Sequence, residues 1–118
     1  MKTNLIMGII ALLLGTAAQA GEVGYEEGSL GFEQMVAGDW LAAEQKLNAS
    51  ADELGADPAR LLQLAEVYRV TGREGDADAL YRQVLSSEDM TLVLADGRIV
   101  SAHNIASMRL STEMQAAR

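Results

Sequence analysis

The sequence predicts an all-α fold in its main part, two helix–turn–helix units stacked as a fragment of an α-solenoid, with a C-terminal β-hairpin and short helix as cap. Three observations predict it. Small and apolar residues recur at a spacing of 34: Leu30 with Leu64, Gly31 with Ala65, Gly38 with Gly72, Ala43 with Ala77, and Leu47 with Tyr81. Helix start and stop signals fall at independent places that agree with this spacing. The recurrence then fails after Leu85, where two runs with β-branched residues flank Asp96-Gly97 and read as a hairpin.

The chain begins with an address. Lys2 supplies a positive start, Leu5 to Leu14 is apolar and uncharged, and Ala18-Gln19-Ala20 offers small residues for a signal peptidase, so residues 1–20 are expected to be a signal peptide cleaved after Ala20. The apolar run is shorter than the ~20 residues that span a bilayer. Residues 21–28, GEVGYEEG, then read as a flexible acidic leader. The repeats are expected over 29–88 and the cap over 89–118. With nine Lys and Arg against 17 Asp and Glu, the net charge is −8, and it becomes −9 once Lys2 is removed. That charge repels nucleic acid and anionic membranes. Cysteine is absent, which excludes disulfide frameworks and thiolate chemistry and, in an exported chain, points to the periplasm or a secreted setting.

Each helix has a local cause. In the first unit a helix is expected from about Glu26 to Ala37, with Leu30 and Gln34 inward. Gly38 turns the chain, and Asp39 caps a second helix carrying Trp40, Ala43, Leu47, Ala51 and Leu54 up to Gly55. In the second unit Asp57 is an N-cap and Pro58 fits the first helical position, where its missing N–H costs nothing; the cap is worth ~1 kcal/mol. Leu61, Leu64, Ala65 and Tyr68 share a face before Gly72, and a helix from about Glu74 to Ser86 carries Ala77, Leu80, Tyr81, Val84 and Leu85. Thr91 to Ser101 is expected to fold back on itself through a two-residue type I′ turn at Asp96-Gly97. Ser101 then caps a last helix with Ile105, Met108 and Leu110 inward, fraying after Ser111.

Leu30-Gly31, Gly38 and Ala43-x3-Leu47 in the first unit, and Leu61-x2-Leu64-Ala65-x2-Tyr68, Gly72 and Ala77-x3-Tyr81 in the second, resemble the tetratricopeptide repeat (TPR). Neither unit has the family's first-position Trp, Gln34 stands where Tyr is usual, and Pro58 comes late. The resemblance implies a protein–protein interaction module. It also implies a groove lined by Tyr25, Phe32, Met35 and Val36 from one unit and by Leu62, Glu66, Arg69 and Val70 from the other. The family's clamp for acidic peptide tails uses Lys and Asn, whereas Gly28, Phe32, Leu62 and Glu66 stand at such positions here, so a carboxylate-tail receptor is not expected. An apolar groove edged by Glu66 and Arg69 suits a peptide or helix of a partner, with Phe32 as anchor. Alternatively the groove is filled from within and the protein is structural, or a homodimer covers the same face.

Chemistry has little material. His103 is the only histidine, no phosphate loop is present, and Asp76-Ala77-Asp78 lacks the Gly and Glu of a calcium loop. No catalytic residue, metal or cofactor is expected. A small-ligand site at His103 with nearby acids is the remaining alternative.

Overall fold

The computed structural model describes residues 30–94 and 97–116. The expected signal peptide and leader, the first turns of the expected opening helix, Tyr25 and Asp96 lie outside them. Among the described residues the fold is mostly helical, with one small sheet. The helices are α1 (Phe32–Val36), α2 (Trp40–Ala49), α3 (Ala51–Leu54), α4 (Pro58–Val70), α5 (Glu74–Ser86) and α6 (Ala102–Ala116), and strands β1 (Thr91–Val93) and β2 (Ile99–Ser101) come between α5 and α6.

The turns fall where glycine allows them. Gly38 at φ 79° and Gly72 at φ 87° occupy the left-handed region that side chains with a Cβ avoid, so the chain bends at both. Asp39 accepts a hydrogen bond from the Ala42 N–H at 3.1 Å, and Asp57 from the Arg60 N–H at 3.2 Å, so both expected caps are made. Gly31 lies ahead of α1 rather than within a helix. A Cβ there would lie 3.2 Å from Leu47 Cγ, a tight approach that the Leu47 side chain would have to relieve by a few tenths of an ångström.

The helix expected from Trp40 to Leu54 breaks at Ser50. The Ser50 hydroxyl donates to the carbonyls of Lys46 and Leu47 at 3.2 and 3.0 Å, in competition with the helical backbone bonds. Arg60 completes the junction by donating from Nη1 to the Leu47 carbonyl and from Nε to the Gly55 carbonyl, both at 2.8 Å. One nearly buried guanidinium therefore satisfies helix-end acceptors on both sides of the break.

Core packing follows from the pairing of α4 with α5. Ala65 of one and Ala77 of the other are fully buried, as is Tyr81, with Val84 nearly so, and small side chains let such axes approach to ~8–10 Å. Helix α2 adds Ala43 and Leu47 on one side of α4, and α6 adds Ala102 and Ala106, packed chiefly on α5. Outside the core, Arg73 holds Glu44 of α2 through two bonds of 2.6 and 3.2 Å and lies 4.5 Å over the Tyr68 ring. This staple joins the first helical hairpin to the turn of the second.

The hairpin is antiparallel, pairing Thr91 with Ser101, Leu92 with Val100 and Val93 with Ile99. This register sets Leu94 opposite Arg98, with the Leu94 N–H donating to the Arg98 carbonyl at 2.8 Å. Three residues therefore lie between the last paired positions, Leu94 and Arg98, where the sequence suggested a two-residue turn. Gly97 takes the positive φ, 89°, that such a loop places at its last residue. The last helix also differs from expectation. It continues through Ala116, and Met108 is 67% exposed, while Ala102 and Ala106 form its buried stripe with Ile105 and Leu110 beside them.

Candidate functional site

Helix α4 is enclosed on every face from Pro58 to Val67, which is what a helix packed among α2, α5 and α6 requires. Its buried polar side chains each need a partner. Arg60 has the two carbonyls already described, and Gln63 accepts from the Gly31 N–H at 3.0 Å. Glu66, wholly out of solvent, is the centre of a polar cluster. Arg69 donates from Nη2 to its Oε1 at 2.6 Å, Arg109 of α6 places Nε 2.6 Å from Oε2, and the Tyr81 hydroxyl of α5 donates to Oε2 at 3.1 Å.

The electrostatics follow from burial. Desolvation, reinforced by the Glu66 charge, raises the Tyr81 phenol far above its ordinary value and keeps it a neutral donor. Burial alone would lower the Arg69 guanidinium, but the charge and hydrogen bond of Glu66 outweigh it and leave the group raised. Arg69 Nε is buried without a hydrogen-bond partner. The cluster joins three helices through one carboxylate and holds both guanidinium groups in fixed positions, one fifth and about a quarter exposed.

The residues expected to line a groove separate into two sets. Met35, Leu62 and Glu66 are buried and are not available to a partner in this conformation, because α4 is surrounded rather than open along one side. Glu66 in particular is no rim residue: its charge is taken up internally. Phe32, Arg69 and Val70 keep part of their surface, and Val36 is 48% exposed. Arg109 was not anticipated as part of this site. Its signal in the sequence is a lone cation four residues after Ile105, on the inward side of an otherwise small and apolar stripe.

His103 lies at the start of α6, where Asp89 and Ser101 close the hairpin's base. Asp89 accepts from the Met90 and His103 N–H groups at 2.8 and 2.9 Å and from the Ser101 hydroxyl at 2.7 Å. Ser101 in turn accepts from the Asn104 N–H at 3.1 Å, the expected cap. Serine, histidine and aspartate thus meet, but His103 Nε2 is 2.7 Å from the Ser87 carbonyl and the Ser101 proton is committed to Asp89. A nucleophile needs its base within reach of that proton, so this is a clasp and not a catalytic triad. The Ser101 hydroxyl and the His103 N–H hold the Asp89 carboxyl below its ordinary 3.8. Among the described residues no three His, Cys, Asp or Glu side chains are grouped to hold a metal ion, and no helix is long and apolar enough to cross a membrane. Compared with protein-family models, curated proteins and solved structures, the chain matches none of them.

Proposed function

We propose that the protein is an exported, TPR-like, non-enzymatic module that binds a protein or peptide partner. The observation that carries this reading is the repetition of one packing device. Ala43 and Ala77 are both fully buried, Leu47 and Tyr81 fill the space next to them, and Gly38 and Gly72 close both turns in the left-handed conformation. Helix α6 extends the pattern. Ala102 and Ala106 have the same spacing as Leu61 and Ala65 and the same inward placement, so α6 takes the part of a third first-helix delayed by the inserted hairpin. Its outer residues Asn104, Ser107, Ser111 and Thr112 are polar, as a solvated end of a helical array requires. Partner contact on this reading uses Phe32, Val36, Arg69 and Val70. The acidic net charge argues against nucleic acid, and the N-terminal sequence supports a periplasmic or secreted location.

Burial of Met35, Leu62 and Glu66 favours a second reading, a structural envelope protein whose groove is filled internally. Capture of a protein from envelope extracts separates the two. An interaction module loses capture on Val36→Glu and Arg69→Glu with its thermal melt little changed at Val36. A structural protein captures nothing reproducible, or captures equally well with both variants, and that result overturns the first reading.

A further inference from the structure

Within the hairpin, the Leu94 N–H and the Ala102 N–H bond to Arg98 and Met90 across the ladder. By the alternation of antiparallel pairing, Leu92–Val100 is also a hydrogen-bonded pair, and the N–H and C=O groups of Thr91 and Val93 point outward from β1. The sheet has two strands only, so this outer edge has no strand partner among the described residues. Native edges are normally blocked by Lys, Pro, a bulge or an inward charge. Met90 to Leu94 reads Met-Thr-Leu-Val-Leu, with no charge, no proline and no glycine. Such a strip favours strand pairing and carries no charge that would select a foreign partner.

We propose that the outer edge of β1 pairs antiparallel with the same edge of a second copy of the chain, centred on Leu92. The strip is self-complementary in this register. Thr91 faces Val93 of the second copy in a hydrogen-bonded pair, the symmetric pair does the same, and all four outward groups on each copy are satisfied about a two-fold axis. One side of the resulting four-stranded sheet carries the row Val100, Leu92 and their two counterparts. On the other side, Ile99, 69% exposed in the single chain, gains a longer row of neighbours through Val93. An isolated two-stranded hairpin is marginal, whereas three or more strands with an apolar face are stable, so the pairing also stabilises the hairpin itself.

Sedimentation of the purified, naturally processed protein over a concentration series tests this, together with amide exchange at Thr91 and Val93. Val93→Pro removes only an outward N–H and leaves the internal ladder intact. The expected result is a concentration-dependent dimer in which Thr91 and Val93 exchange slowly. Val93→Pro weakens it about ten-fold or more, because two symmetry-related hydrogen bonds are lost. Should Val93→Pro fail to fold, Thr91→Lys, on an exposed side chain, decides by the same shift. A chain that stays monomeric into the millimolar range overturns the proposal, and so does a dimer that neither substitution weakens.

Discussion

Replacing Glu66 by alanine tests whether the buried cluster holds the three helices together. The Tyr81 hydroxyl is left buried without an acceptor, a loss of ~1–3 kcal/mol. Arg69 and Arg109 lose their carboxylate, but both reach solvent, so each loss is discounted to the surface-pair range of ~0–1 kcal/mol. Removing the buried Cγ methylene adds ~1 kcal/mol. The total is about 3 kcal/mol, at the lower end of what breaking a buried ion pair costs. For a domain of this size it corresponds to a fall of roughly 12–24 °C in melting temperature. Urea unfolding followed through Trp40, the only tryptophan, gives the free energy, and a double-mutant cycle with Arg109→Met gives the coupling across α4 and α6. A loss below ~1 kcal/mol, or an Arg109 coupling well above ~1 kcal/mol, would refute the reasoning.

Three further outcomes are expected. Gly72→Ala destabilises by about 1–2 kcal/mol, since alanine is forced into the left-handed region, while Gly75→Ala inside α5, where nothing lies within 4 Å, stabilises by about 0.5–1 kcal/mol; thermal melts distinguish the two. Arg60→Met costs about 1 kcal/mol because two hydrogen bonds are lost while the Leu47 carbonyl keeps the Ser50 hydroxyl and exposed Gly55 turns to water, and amide exchange at the end of α2 and in α3 quickens. The Asp89 carboxyl is held low, so its contribution is present above its unfolded value near 3.8 and lost as pH falls through the folded value. His103 and Asn104 amide signals should therefore report opening of the hairpin base in that acid window, and Asp89→Asn should remove this step.

Local signals carried most of the helical frame. Gly38, Gly72, Asp39, Asp57-Pro58 and the span Glu74–Ser86 are all where nearest-neighbour chemistry put them, because caps and left-handed turns are decided within a few residues. The break at Ser50 is not legible because its neighbours continue a helical pattern, and the Arg60 bonds that complete the junction come from ten residues further on. The hairpin's existence was legible in its β-branched runs, but its register was not: Asp-Gly serves both a two-residue turn and the end of a three-residue loop, and the inward faces of Leu92 and Val100 decide between them. The family pattern places Glu66 on an inner face, at the edge of a groove. Its partners Tyr81 and Arg109 lie 15 and 43 residues away, and no sequence period announces a buried ion pair between separate helices.

The closed base of the hairpin has a consequence for engineering. Met90, Asp89, Ser101 and His103 tie the strand ends to the start of α6 through bonds that do not involve the connection between Leu94 and Arg98, so that connection is a place where the chain tolerates extra sequence. A tag, a dye-bearing cysteine or a grafted recognition loop inserted there enters beyond the last bond of the ladder, Leu94 N–H to the Arg98 carbonyl.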